Sequence, residues 1–162
     1  MKPFYFLAVM GVLLTGCSVQ SEANDGESKP LLKQVIIPAA LQSTYDDLQY
    51  APAVRAGDFV YLSGVVVMLN DDETLDDIKP AAERAFAEIE MVMKEAGIDW
   101  SHVVDVTSYM TDLDNQLLPF WDVKTIHVPA PYPAWTAIGV DRLYGGQKAL
   151  IEIKVTAYAP KE

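Results

Sequence analysis

The sequence has 162 residues, of which 12 are Lys or Arg and 23 are Asp or Glu, so its formal net charge at pH 7 is −11. This acidic balance disfavours binding to a phosphate backbone, and we expect no nucleic-acid partner. The chain has one cysteine and cannot form an internal disulfide, so burial of apolar surface must stabilise the fold.

The first sixteen residues have the pattern of a secretory leader. Lys2 provides a short basic start, and residues 4–14 are almost wholly apolar. This apolar run is shorter than the roughly 20 residues that a membrane-spanning helix needs. A cleaved leader is therefore favoured over a membrane span.

The leader ends in Leu14-Thr15-Gly16-Cys17, which resembles the lipobox of bacterial lipoproteins. The resemblance implies that the chain is cut before Cys17 and that this residue is acylated. Several acyl chains anchor a protein stably where one does not. Ser18 at the next position favours the outer membrane, facing the periplasm, by similarity to known sorting rules. We expect a protein of the bacterial cell envelope, held to the membrane by its lipid anchor only; a chance cysteine after an ordinary leader is the alternative.

Residues 17–30 are mostly polar and predict a flexible tether. We divide the chain into a leader at residues 1–16, this tether, and one domain at residues 31–162. Removal of 16 residues from 162 leaves 146, which is enough for one domain with a sizeable core and too few for two.

The domain begins with strand signals. An apolar run at residues 31–37 ends at Pro38 and favours a strand or a packing arm. Residues 50–64 then predict two strands that are joined by a turn at Gly57-Asp58.

A long amphipathic helix is predicted from about Ile78 to Ala96. Asp77 is suited to cap its start, Pro80 lies in its first turn, and Gly97 is suited to the left-handed position that ends it. Apolar residues that should pack on a sheet recur at steps of three and four: Ala82, Ala85, Phe86, Ile89, Met93 and Ala96. The other side should be solvated and carries Glu83, Glu88, Glu90 and Lys94.

A further strand and a second helix follow. Residues 103–110 are rich in β-branched side chains, which predicts a strand. The segment from Asp112 to Asn115 offers caps for a helix that extends to about Ile126.

Residues 132–158 predict a β-hairpin. Gly145-Gly146 separates two alternating, β-branched runs, and a Gly-Gly pair is a common hairpin turn. One face of the last strand is aliphatic and consists of Ile151, Ile153, Val155 and Ala157. Glu152 therefore lies on the opposite, mixed face.

Several separated motifs resemble the Rid family, the reactive intermediate deaminases with RidA as type, also known as endoribonuclease L-PSP-like proteins. The motifs are residues 50–64, residues 96–98, residues 109–113, Pro133-Ala134-Trp135-Thr136, Arg142-Leu143 and Ile151-Glu152-Ile153. They occur in the family's order over about residues 48–159, which is most of the domain.

The resemblance implies an α+β fold similar to chorismate mutase, with a mixed sheet of about six strands and two helices on one face. In the family, three subunits form a barrel-like trimer, and each ligand cleft lies between neighbours. The residues by themselves predict only a two-layer α+β domain. We therefore expect a homotrimer that binds a small molecule in its intersubunit clefts.

Members of the family hydrolyse enamines and imines to ketoacids and ammonia without a metal or an organic cofactor. The resemblance assigns Glu152 to positioning the attacking water, Tyr50 to the active-site hydroxyl and Gly64 to backbone that faces the substrate. Thr136 completes the motif Pro133-Ala134-Trp135-Thr136 and is a further candidate for substrate binding. For Glu152, a solvated strand glutamate that faces Lys154 or a cross-strand neighbour is an equally good interpretation. For Tyr50, the alternative is a strand aromatic in the subunit contact.

Two polar positions of the family pattern are aromatic in this chain. Trp135 replaces the arginine that binds the substrate carboxylate, and the position of a helix asparagine falls at or beside Phe120. An indole has one N–H donor and no charge, so it cannot replace a guanidinium. Arg55 and Arg142 stand where the family often has arginine, so neither is a substitute.

Three functions remain open: a divergent imine or enamine hydrolase, a non-catalytic binding module, and a structural lipoprotein with a collapsed cleft. In the binding module, Trp135, Phe120 and Tyr50 would be aromatic walls around a small ligand. No metal site is expected, because His102 and His127 do not lie at ligand spacing from another His or Cys.

Overall fold

The computed structural model describes residues 33–160, which form one mixed β-sheet and three α-helices. The strands are β1 (Gln34–Ile36), β2 (Ala53–Ala56), β3 (Phe59–Leu62), β4 (Val65–Met68), β5 (Val103–Met110), β6 (Ala134–Gly139) and β7 (Ala149–Tyr158). The helices are α1 (Gln42–Leu48), α2 (Lys79–Glu95) and α3 (Leu113–His127). The predicted leader, Cys17 and the tether lie outside the described residues. Within the described range, no helix is long and apolar enough to cross a membrane.

The sheet has seven strands in the order β1-β2-β3-β7-β5-β6, and β4 pairs with β7 beside β3. Only β5 and β6 are parallel neighbours. The ten-residue strand β7 is central, because its two halves pair with β4 and β3 and its other edge pairs with β5. The expected α+β fold with a mixed sheet is confirmed, with one strand and one helix, the short α1, more than predicted.

The predicted hairpin at Gly145-Gly146 is wrong, because β5 lies between β6 and β7. Met110 of β5 is in register with Gly139 of β6 on one side and with Ile151 of β7 on the other. A strand that follows a crossover helix pairs in parallel with the strand before that helix. β5, α3 and β6 form such a unit, so β7 pairs with the other edge of β5.

The two faces of the sheet differ as the alternation in β7 predicts. Its odd-numbered residues from Ile151 to Ala157 are buried, whereas Glu152, Lys154 and Tyr158 are half-buried or exposed. α2 packs on the buried side through Ala81, Ala82, Ala85, Phe86, Ile89, Val92 and Met93. We call the side that carries the helices the helix face and the other side the open face.

The helix ends and the first turn lie close to where the sequence predicts them, but Asp77 is not the N-cap of α2. Ile78 occupies that position without a side-chain cap, and the Asp77 carboxylate before it accepts the Lys79 N–H at 3.2 Å. The Asp112 carboxylate caps α3 by accepting the Asn115 N–H at 3.3 Å. Gly57 and Gly97 have φ angles of 59° and 70°, in the left-handed region that favours glycine. These local signals set the element boundaries.

Candidate functional site

Glu152 lies on the open face of β7, between Val66 of β4 and Tyr109 of β5. Its side chain is half-buried. Within residues 33–160, its carboxylate has no ion pair and no hydrogen-bond partner, and the contact with Lys154 that the sequence left open is not formed. A half-buried carboxylate without a cation is available for a ligand or for water.

Gly64 supports this carboxylate. It lies in the link between β3 and β4, and a Cβ atom built on it would be only 1.8 Å from Glu152 Oε1. Any side chain at position 64 would therefore displace the glutamate. The structure places these two predicted site residues in direct contact.

Tyr50 is held beside the same link. Ser63 donates its hydroxyl to the Ala51 carbonyl at 2.7 Å and its N–H to the Pro52 carbonyl at 2.9 Å. The Tyr50 side chain is 43% exposed. Burial raises the pKa of its phenol, and the negative charges of Glu88 and Glu152 raise it further. The hydroxyl therefore stays protonated and can donate a hydrogen bond.

Glu88 of α2 is a further carboxylate whose negative charge acts on Tyr50, although the sequence places it on the solvated side of the helix. Its side chain is half-buried, and this burial raises the pKa of its carboxyl group. Ala85 and Val92, three residues before it and four after it, are buried. The sequence signal for the burial of Glu88 was therefore its position at the border of the apolar stripe of α2. We call Tyr50, Gly64, Glu88 and Glu152 the carboxylate cluster.

Trp135 lies on the helix face, because β6 pairs it with the buried Val106 of β5. Its indole N–H donates to the Ser108 hydroxyl at 2.9 Å. Phe120 packs against it with ring centroids 6.3 Å apart, and Trp121 packs edge-on at 5.2 Å. The hydrogen bond and both ring contacts hold the indole between β6 and α3.

Phe120 cannot be a wall of an open cleft in the single chain. Its exposure is 0%, and it stacks on Phe86 of α2 at 5.7 Å, so it belongs to the core. The exposed aromatic side chain is its neighbour Trp121, with 48% exposure. The sequence analysis placed the departure at or beside Phe120, and only the neighbour reaches solvent.

Lys124 is the cation that the sequence analysis missed. Its Nζ lies 4.5 Å from the Trp135 ring centroid and 5.8 Å from the Trp121 centroid. Burial lowers the pKa of its ammonium group. Lys124 follows Phe120 by four residues and Trp121 by three, so helical spacing was the signal for this face. We call Trp121, Lys124 and Trp135 the tryptophan–lysine cluster.

The two clusters do not meet within one chain. Trp135 is on the helix face and Glu152 on the open face, and their strands are two strand spacings apart, about 10 Å. Thr136 is exposed on the open face of β6, opposite Thr107 and away from the indole. Of the predicted site residues, the structure brings together Tyr50, Gly64 and Glu152 and leaves Trp135, Phe120 and Thr136 apart from them.

The two arginines considered as substitutes have other roles. Arg55 is buried and donates to the Ala159 carbonyl at 2.6 Å and the Ala96 carbonyl at 3.3 Å, which joins the ends of β7 and α2. Arg142 is exposed and lies 3.5 Å from Asp141 at the edge of a cavity of about 600 Å³. Neither guanidinium is part of the two clusters, as the sequence predicts.

The two histidines have structural contacts. His102 and Asp99 form a capping box, and His127 lies between Glu83 and Glu90. In the described part of the chain, no group of three or more His, Cys, Asp or Glu side chains could hold a metal ion.

Comparison with solved structures places this architecture among the YjgF/RidA folds. The structure of the protein YjgH aligns with a TM-score of 0.68 at 34% identity and covers 80% of this chain and 98% of that one. RidA from the Antarctic bacterium Psychrobacter sp. PAMC 21119 aligns with a TM-score of 0.60 at 27% identity over 77% of this chain and 98% of that one.

The sequence profile of the Endoribonuclease L-PSP family matches residues 42–159. The chain belongs to this family. The RutC family protein YjgH of Escherichia coli is 34% identical over 80% of this chain and 98% of its own length. A 2-iminobutanoate/2-iminopropanoate deaminase of Dermatophagoides farinae is 30% identical over 64% of this chain and 81% of its own length. The Rid resemblance is confirmed at the level of the family.

Proposed function

We propose that the protein is a RidA-like imine or enamine hydrolase that acts on a small substrate other than the simple 2-imino acids. The observation that carries this proposal is the Glu152 carboxylate, which lies unpaired against Gly64 and near the Tyr50 hydroxyl. A similar protein from Dermatophagoides farinae is named as a deaminase of two imino acids, which supports the reaction class.

The cluster has the groups that imine hydrolysis needs. Glu152 takes a proton from water while the oxygen bonds to the C=N carbon and the C=N double bond becomes single, and it then delivers this proton to the nitrogen, which Tyr50 orients by a hydrogen bond. Glu152 next takes the hydroxyl proton of the resulting carbinolamine and delivers it to the same nitrogen, so that the C–N bond breaks, ammonia leaves and a C=O bond forms. One water is consumed for each ammonia released, and no redox partner is required.

Trp135 argues against the simple 2-imino acids. Loss of a charge-assisted contact to a substrate carboxylate costs about 2 to 5 kcal/mol, because the anion is then desolvated without its partner. This corresponds to a loss of roughly 30-fold to several thousandfold in the specificity constant. The indole is held by its hydrogen bond to Ser108. At the position of the family's arginine, it would occupy the volume where the carboxylate should lie.

We further propose that the working unit is a homotrimer in which the carboxylate cluster of one copy faces the tryptophan–lysine cluster of the next. The two clusters offer different chemical groups, since one contains Tyr50 and Glu152 and the other contains Trp135 and Lys124. Each cluster contains only part of the residues that the proposed site needs. Apposition of two copies would supply a proton-transfer group and an aromatic, cationic wall in one cleft.

The test is ammonia release from 2-imino acids that an amino-acid oxidase generates in place. We expect little turnover by the wild type and an increase of at least about 30-fold in kcat/KM for Trp135→Arg. Addition of Glu152→Gln to Trp135→Arg should abolish that activity. Trp135→Phe is the matched control, because it keeps an aromatic ring without adding charge, and it should remain inactive.

Two outcomes would contradict the hydrolase proposal in different ways. Rates in the wild type that match an active deaminase would show that Trp135 does not exclude 2-imino acids. An inactive Trp135→Arg protein with an intact oligomer would favour a structural trimer or a binding module. The binding module is the second candidate, because Trp121 is 48% exposed next to Trp135 and offers an aromatic wall.

We also propose that the protein is exported to the cell envelope as a lipoprotein with an acylated Cys17. This proposal is supported by Leu14-Thr15-Gly16-Cys17 after a basic and apolar leader. Mass spectrometry of protein extracted from membranes should find a mature chain that begins with an acylated Cys17. A chain that retains Met1, or one with a free thiol, would overturn the proposal.

A further inference from the structure

Lys124 has a mostly buried side chain whose ammonium group has no counter-ion among residues 33–160. The residue is only 8% exposed. Within these residues Nζ forms no hydrogen bond or ion pair, while every buried side-chain nitrogen and oxygen has a hydrogen-bond partner, so Nζ itself keeps contact with solvent. Partial loss of hydration is costly for a charge, and an anionic ligand would compensate for it. The ammonium group is therefore accessible to such a ligand.

Two indoles hold the ammonium group in place. Nζ lies over the faces of Trp135 and Trp121 at 4.5 Å and 5.8 Å, distances at which a cation is attracted by the ring quadrupole. Trp135 is itself fixed by its hydrogen bond to Ser108, which is fully buried. The cation is therefore pre-oriented, and no protein group of residues 33–160 uses its hydrogen-bonding capacity.

We propose that Lys124 is a specificity-determining residue that binds the carboxylate of a small organic anion on the tryptophan–lysine cluster. This inference rests on the proposed function only in placing the cluster in the wall of the substrate cleft. Lys124 supplies the positive charge that Trp135 lacks, from α3 instead of from β6. Because Lys124 presents its charge from α3, whereas an arginine at position 135 would present it from β6, the preferred ligand should differ in shape from a simple 2-imino acid.

The geometry also specifies the chemistry of the ligand. An ammonium group is a point charge and contacts one carboxylate oxygen at a time, whereas a guanidinium fork binds both oxygens. Trp121 presents exposed ring surface next to Nζ, which suits an apolar or planar group on the anion. We therefore expect carboxylates with an aromatic or branched apolar group to bind better than short, compact ones.

The experiment compares phenylacetate with phenylacetamide, which has a similar shape and no charge. Binding to the purified full-length protein is measured by isothermal titration calorimetry, and Trp fluorescence reports contact with the indoles. The variants are Lys124→Met, which keeps the length of the stem without the charge, and Lys124→Arg, which keeps the charge. Lys94→Met is the control, since Lys94 is exposed on α2. Circular dichroism and light scattering verify that each variant keeps its fold and oligomeric state.

The wild type should bind phenylacetate about 10- to 100-fold more tightly than phenylacetamide, as expected for a hydrogen bond to a charged group. Lys124→Met should remove this preference and leave phenylacetamide binding unchanged. Lys124→Arg and Lys94→Met should keep the preference. Restoration by arginine distinguishes an anion-binding role from one in packing.

Three results would overturn the inference: no phenylacetate binding by the wild type, an undiminished preference in Lys124→Met, or an equal loss of both ligands in that variant. Loss of the oligomer in Lys124→Met would also overturn it, because the lysine would then pair with a carboxylate of a neighbouring copy. Glu152→Gln separates the inference from the proposed function. It should abolish turnover and leave phenylacetate binding intact, so absence of turnover with every imine would refute the hydrolase and not the role of Lys124.

Discussion

At the scale of single residues, the position of Glu152 depends on the absence of a side chain at Gly64. The glycine has no positive φ angle, so conformational freedom does not explain it. The explanation is space, since a Cβ atom at position 64 would be 1.8 Å from Oε1 and 2.6 Å from Cδ of the glutamate. One missing methyl group therefore sets the location of the candidate catalytic carboxylate.

Gly64→Ala should move Glu152 out of position without unfolding the protein. We expect a loss of about 100-fold or more in kcat/KM for imine hydrolysis, because misplacement by an ångström has this effect on a catalytic group. The stability cost should be about 1 to 3 kcal/mol. Both quantities are measured in the Trp135→Arg protein if the wild type has too little activity.

Gly139→Ala is the matched control for this change. A Cβ atom at Gly139 would meet Leu113 Cβ at 3.8 Å, an ordinary van der Waals contact, and the residue has no positive φ angle. We expect activity and stability close to those of the parent protein. Equal activity in Gly64→Ala and Gly139→Ala would refute the role of the close contact.

At the scale of secondary-structure elements, His127 joins the last turn of α3 to α2. Its Nε2 lies 2.6 Å from Glu83 Oε2 and its Nδ1 lies 2.8 Å from Glu90 Oε1, while its ring stacks on Phe86 at 4.9 Å. Both ring nitrogens must carry a proton to donate to two carboxylates. The histidine is therefore a charged link between the helices that flank the tryptophan–lysine cluster.

The link should make stability depend on pH. Burial lowers the pKa of His127, but its hydrogen bonds to Glu83 and Glu90 outweigh burial and raise the pKa above the ordinary value. The folded state thus binds the proton more tightly than the unfolded state. The stabilisation is complete below about pH 6.5 and is lost as pH rises through the raised pKa of the folded state.

His127→Gln tests this dependence. It should lower the free energy of unfolding by about 1 kcal/mol at about pH 6, since the two carboxylates are partly solvated. It should also remove part of the fall in stability on the alkaline side, as measured by urea denaturation at several pH values. A variant whose stability falls with pH as steeply as the wild type would refute the charged link.

The sequence predicts the elements well because their signals are local. Asp77, Gly97 and Asp112 act within a few residues of the helix ends that they mark, and alternation alone assigns the faces of β7. Pairing is not local. Gly145-Gly146 is a local signal for a hairpin, but the pairing of the strands depends on α3, which makes β6 a parallel neighbour of β5.

The residues of the candidate site are likewise only partly predictable from the sequence. Tyr50, Gly64 and Glu152 were predicted only through the resemblance to the family, since no local pattern joins residues so far apart in the chain. Glu88 and Lys124 were missed because each lies at the border of an apolar stripe, where a charged residue is usually solvated. Their burial depends on the strands and rings packed beside them, which no local pattern specifies.

At the scale of the whole molecule, the open face of the sheet in a single chain exposes aromatic side chains to solvent. Phe59, Tyr61 and Tyr158 are exposed on it, and Phe59 and Tyr158 form an edge-to-face pair at 5.3 Å. Exposed apolar patches of this kind mark interaction surfaces. A homotrimer would cover this face and would bring the two clusters of neighbouring copies together.

We predict that a chain lacking residues 1–29 is a trimer. Light scattering at micromolar concentration should give three times the mass of one chain. Phe59→Glu should shift it to the monomer, because a carboxylate would be buried in the contact without a partner. Leu118→Glu is the control, since Leu118 of α3 is 71% exposed and should tolerate the charge.

If Phe59→Glu alone dissociates the trimer, phenylacetate binding and imine turnover should disappear with it, because each cleft would then have only one of its two halves. A monomeric parent chain would remove the shared cleft, and retention of binding by the Phe59→Glu monomer would place the site within a single copy.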